Sequence, residues 1–199
     1  MKKLILALIL LVAGVSVYFL FFSGGKKGPE APKQQPLALE DKGNAFNNSY
    51  NRLLTAYISV KDALVASDTA KASAAARELA IAADSLKVNE IQGDSTGILK
   101  ETALNYASTI SSSAQALALE ATIAAKRKEF EMIAEALWNL TRTVKYSSQK
   151  LYWQYCPMAF NNRGANWVST EAEIRNPYFG NEMLECGSIQ DSLDYSAKK

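Results

Sequence analysis

Four sulfur-bearing residues stand as two Cys–Met pairs near the C-terminus, Cys156-Pro157-Met158 and Met183-Leu184-Glu185-Cys186. Thiolate and thioether sulfurs are soft donors that select Cu(I) or similar ions over magnesium or calcium. A Cys-x-Met on a turn and a Met-x-x-Cys on a helical turn can each aim two sulfurs at one point. Cys156, Met158, Met183 and Cys186 are therefore the candidate metal ligands. The same two cysteines also suit a disulfide. Closing a loop of about 30 residues stabilises a fold by roughly 3–4 kcal/mol in the chain-entropy model. Both chemistries require Cys156 and Cys186 to be neighbours, and the spacing leaves the choice open. The methionines have a competing role as core packing beside aromatics.

Composition removes other chemistries. The 199 residues include no His, so imidazole triads, proton shuttles and His-ligated zinc are excluded. Two Cys are too few for an all-Cys zinc site within one chain. No P-loop, G-x-G-x-x-G, H-E-x-x-H or serine elbow is present, and an enzyme is not expected. The 22 basic and 20 acidic residues are unevenly spread. Residues 1–36 carry five lysines against one glutamate, so the rest sums to −2 and offers no basic field for nucleic acid.

The elements that would position the sulfurs begin with an apolar run. Leu4 to Phe22 holds no charge, and its length is close to the roughly 20 residues that span a hydrocarbon core as a helix. Bulky Tyr18-Phe19-Leu20-Phe21-Phe22 stands where a cleavage site would need small residues. An uncleaved single-pass anchor over residues 1–22 is expected, inserted in a bacterial inner membrane with the following domain in the periplasm. Residues 23–43, with Gly24-Gly25 and Pro29, Pro32 and Pro36, read as a flexible linker.

Residues 44–190 read as a mainly α domain. Phe46, Tyr50, Leu53, Tyr57, Val60 and Leu64 form one helical stripe near 45–66. Asp68 reads as the N-cap of a second helix near 69–86, lined by alanines. Gly93-Asp94-Ser95 reads as turn and cap before a third helix marked by Leu99, Ala103, Tyr106, Ile110 and Leu117. Phe130, Ile133, Leu137, Leu140 and Val144 mark a fourth near 121–146. No Gly or Pro separates the last two, so a single long helix competes with that division. The expected architecture is an antiparallel four-helix bundle followed by an irregular, short-strand region and a tail at 191–199.

In that last region Leu151 to Tyr155 is strand-like, and Asn161-Asn162-Arg163-Gly164 reads as a turn. Trp167 and the Asn176-Pro177-Tyr178-Phe179-Gly180 turn are aromatic-rich. Trp167, Asn176, Tyr178 and Phe179 are thus candidate interaction residues, with packing on their own domain the alternative.

These segments resemble a known family. Lys61 to Asp68, Arg127 to Phe130, Cys156 to Ala159, Ile174 to Gly180 and Met183 to Gly187 together resemble the domain of unknown function 3347 family. The resemblance implies an envelope protein of Gram-negative bacteria, in a family also found fused to periplasmic adaptors of heavy-metal efflux systems. Efflux components are the partners it suggests. Its Cys-Pro-Met is similar to the tripeptide of small heavy-metal-binding domains, where a His follows; here Ala159 takes that place.

Overall fold

The structure is a computed structural model that describes residues 44–195. The expected anchor and the whole of the linker lie outside the described residues, as does the end of the tail. Among the described residues no helix is long and apolar enough to cross a membrane.

Four long helices come first: α1 (Asn44–Val65), α2 (Thr69–Asp84), α3 (Ile98–Leu119) and α4 (Ile123–Val144). Asp68 caps α2 as expected, its carboxylate accepting the Lys71 N–H at 2.9 Å. Asp94 reaches forward to the start of α3, where it accepts the Lys100 N–H at 2.8 Å. The third and fourth helices are separate. Glu120 turns extended and the Thr122 hydroxyl accepts the Ala125 N–H. A threonine N-cap thus ends the apolar run where no Gly or Pro does.

Neighbouring helices run antiparallel. Tyr50 hydrogen-bonds Thr141 while Tyr57, two turns further along α1, stacks on Phe130 at 5.2 Å, near the start of α4. Side-chain size sets the spacing. Ala72, Ala76, Ala80 and Ala83 of α2, with Ala103, Ala107 and Ala114 of α3, are buried and allow those helices to approach closely. Phe46, Tyr50, Leu53 and Tyr57 of α1 meet Phe130, Ile133, Leu137 and Leu140 of α4 in one buried cluster. Bulk fills the wider gap there.

A three-stranded antiparallel sheet follows, with order β2-β1-β3, where β1 is Leu151–Cys156, β2 is Ala165–Ser169 and β3 is Ser188–Leu193. β3 carries the fold past the edge expected at residue 190. The sheet docks on the helices through Trp153, stacked on Trp138 of α4 at 5.0 Å, and through Val168, whose N–H donates to the Tyr57 hydroxyl at 2.9 Å. Burial pushes the Tyr57 hydroxyl well above its ordinary pKa, so it stays neutral and able to accept this bond.

Candidate functional site

The central strand delivers Cys156 at its last position, opposite Ala165 of β2. Side chains two apart on a strand share a face, so Gln154 and Cys156 point the same way, with Trp167 directly across from Gln154. This face is covered by the segment from 170 to 187. The Gln154 amide donates to the carbonyls of Glu171, Ala172 and Glu173 at 3.0, 3.3 and 3.1 Å, which holds the start of that segment down.

The covering segment returns Cys186 to Cys156. The sulfurs lie 3.4 Å apart, both as free thiols. That separation falls between the ~2.05 Å of a disulfide and the ~4 Å between two thiolates on one metal ion at ~2.3 Å bonds. Either product is within about an ångström of movement. Cys156 has 0% of its surface exposed, whereas Cys186 is half-buried and is the side from which a reagent or ion arrives. The hydrogen bond that the Cys186 thiol shares with Cys156, followed by burial, raises it above its ordinary pKa. The Cys186 sulfur therefore favours its protonated form, and a bound cation must displace that proton.

The methionines occupy different surroundings. Met183 ends the short 3₁₀ turn Gly180–Glu182, is half-buried, and its carbonyl accepts the Cys186 N–H at 3.1 Å. Met183 to Cys186 is not the expected helical turn: Met183 leaves the 3₁₀ turn with φ −148° and ψ 57°, and the chain from it to Cys186 makes a non-helical turn. Met158 is 42% exposed and lines a cavity of about 500 Å³ with Arg127, Phe160, Tyr178 and Phe179. Neither cysteine lines that cavity. The structure brings the two cysteines together, keeps Met183 beside Cys186 along the chain, and places Met158 at the cavity's edge.

Burial corrects the expected interaction surface. Trp167 and Asn176 are fully buried and Tyr178 is nearly so, leaving half-buried Phe179 with surface to offer. The reason is aromatic packing: Tyr178 meets Phe130, Phe160 and Trp167 at centroid distances of 6.0, 5.3 and 6.0 Å. Its hydroxyl donates to the Asn166 carbonyl. The turn is part of the core that backs the sulfur pair.

Two residues hold this region: Gln154, which the sequence left unassigned, and Arg127, which it offered as a buried partner across helices with a solvated face as the default. Gln154 fixes the covering segment as described. Arg127 of α4 donates from Nε to the Pro177 carbonyl at 2.8 Å and from Nη2 to Ser67 Oγ at 3.0 Å. It ties the loop to the end of α1. Gly180 permits the contact, since a Cβ there would lie 2.6 Å from the Val65 carbonyl oxygen. A lone Arg in a Lys-Arg-Lys run gives no sign of this role. Behind the sulfurs, Gln154 Oε1 and Trp167 Nε1 are buried without a hydrogen-bond partner among the described residues. Such orphaned groups are costly and concentrate where structure serves function. The Trp167 ring edge also packs on Gly187, next to Cys186.

No group of three or more carboxylate, Cys or His side chains able to hold a metal occurs among the described residues. The donor set at the sulfur pair is soft, which fits a soft ion and not a hard one. No curated protein and no solved structure matches the chain. Residues 53–149 match one family model, which spans most of the helical part and stops before β1. That model is the one for the family described as protein of unknown function (DUF3347).

Proposed function

We propose that this is a membrane-anchored periplasmic domain, an antiparallel helical bundle with a small appended sheet, that binds Cu(I) in metal homeostasis or efflux. The observation that supports it is the approach of two free thiols to 3.4 Å, one buried and one reachable. Cys156 and Cys186 supply the thiolates, and Met183 and Met158 add thioether donors, Met158 by rotating from the cavity edge. Uncharged thioethers add little for hard ions and favour Cu(I). The helices act as the scaffold that fixes β1, and the covering segment supplies the second thiol. The chain's own residues bind and orient; no catalysis is assigned to them.

The test is a titration of Cu(I) against a competing chelator under reducing, oxygen-free conditions. Wild type, Cys186→Ala and the Met158→Leu, Met183→Leu double variant are compared. Wild type is expected to compete, the cysteine variant to fail, and the double variant to bind more weakly with its fold retained, since Leu and Met are close in volume. Absence of competition in wild type overturns the metal reading.

A second reading is favoured by the complete burial of Cys156, which suits a structural sulfur. In it the pair closes as a disulfide staple and the domain serves as an interaction module. That reading expects no Cu(I) competition and destabilisation by reductant alone.

A further inference from the structure

The segment between Asn176 and Cys186 is tied into a closed loop by one side chain. Asn176 is fully buried and uses its amide in both directions. Its Nδ2 donates to the Cys186 carbonyl at 2.8 Å, and its Oδ1 accepts the Tyr178 N–H at 2.8 Å. Its own N–H donates to the Leu184 carbonyl at 2.8 Å, and its carbonyl accepts the Gly180 N–H at 3.0 Å. Four hydrogen bonds thus converge on one residue ten positions before Cys186. Buried amide bonds of this kind fix a backbone because releasing one leaves an unpaired group in the interior.

Position follows from this. β1 lies between two strands and pairs Cys156 with Ala165 of β2, but Cys186 precedes β3 and has no ladder of its own. Its main chain is held instead by Asn176 and by the Met183 carbonyl. From this arrangement we infer that Asn176 is the positioning residue of the sulfur site: it sets the Cys186 thiol against Cys156, and with it the reactivity of the pair. The inference rests on the sulfur pair being the site. It holds for metal ligation and for disulfide formation alike, since both depend on how often the sulfurs meet.

Asn176→Ser separates positioning from folding. Serine Oγ can still accept the Tyr178 N–H in a turn of the same kind, but it is too short to donate to the Cys186 carbonyl. Asn176→Ala removes both bonds and serves if the serine variant is compromised. Leu137→Ala, in the helical core, is the control for general destabilisation.

Two measurements are made on each. The first is Cu(I) affinity by chelator competition. The second is the thiol–disulfide equilibrium in glutathione buffers. There, Cys156 and Cys186 lose two protons and two electrons to one glutathione disulfide, forming their S–S bond and two reduced glutathiones. Asn176→Ser is expected to lower Cu(I) affinity and the oxidation equilibrium constant by about tenfold or more, because the effective concentration of one thiol at the other falls. Leu137→Ala is expected to leave both within about twofold at temperatures where it is folded, because distant, independent sites do not couple. No Cu(I) competition by wild type sinks the metal reading alone, and the equilibrium constant then decides the role of Asn176. Constants in Asn176→Ser matching those of Leu137→Ala overturn the inference.

Discussion

The helical part and the sheet part of this domain spend their buried polar groups differently. α1 to α4 enclose an interior of Leu, Ile, Ala and aromatic side chains, in which buried Ser49, Lys126 and Thr141 bond to groups of the helices themselves. The 150–190 region buries Gln154, Ser169 and Asn176, and ties the Gln154 NH2, the Ser169 hydroxyl and both ends of the Asn176 amide to main-chain partners of the covering segment. Apolar burial is graded and tolerant of substitution, whereas a buried hydrogen bond is lost whole. The first region is therefore a support that accepts variation, and the second a fixture in which single atoms matter. The candidate chemistry lies entirely in the second.

The largest expected effect breaks that comparison at the sulfurs. Cys156→Ala should abolish Cu(I) competition, a loss of about a hundredfold or more for a removed thiolate, on the scale by which even outer-shell groups change affinity. Its far-ultraviolet circular dichroism should stay that of wild type, because the change removes one sulfur atom from a strand and leaves every helix residue in place. Retained affinity would assign the site elsewhere.

Next comes the helical support. Leu137 is completely enclosed, so Leu137→Ala should cost about 2–5 kcal/mol in denaturant unfolding. A loss below about half a kcal/mol would show that the core there relaxes fully.

A smaller effect sharpens the boundary between α3 and α4. Thr122→Ala removes the hydroxyl that accepts the Ala125 N–H and should cost about 1 kcal/mol. A neutral result would mean that the break is held by packing instead.

The smallest concerns pH. Accepting the Lys71 N–H is the main reason the Asp68 carboxyl sits below its ordinary pKa of 3.8, with the nearby Lys71 charge adding to it. Its folded pKa is below its unfolded one. The contribution is thus present above the unfolded value and lost as pH falls through the folded value. The melting-temperature gap between wild type and Asp68→Asn should narrow on acidification below about pH 4. A gap that widens there would reverse the assignment.

How much of this was legible follows the same division. The stripe from Phe46 to Leu64 and the Asp68 cap read directly, because period and capping are local properties. The break at Thr122 is also local, but a threonine among alanines signals weakly beside a Gly or Pro. The meeting of Cys156 and Cys186 was foreseeable as a requirement of either chemistry. Its support was not, since the partners of Gln154, Arg127 and Asn176 are main-chain groups that carry no residue identity. Aromatic content suggested a surface at Trp167 and Tyr178. The structure uses those rings as interior, Tyr178 packing between Phe130 of α4 and Trp167 of β2. β3 went unread because Ser188–Leu193 is mostly exposed and shows no alternation.

That exposed strand has a consequence for behaviour at high concentration. β3 lies at the edge of the sheet, where free N–H and carbonyl groups invite another chain to add itself. Its pairing with β1 skips a residue between Trp153 and Gln154, placing Asp191 and Ile189 at successive partners. The irregularity bends the edge, and the Asp191 charge must lose its water before a second strand can settle there. Both features work against the stacking of domains into extended sheets at high concentration.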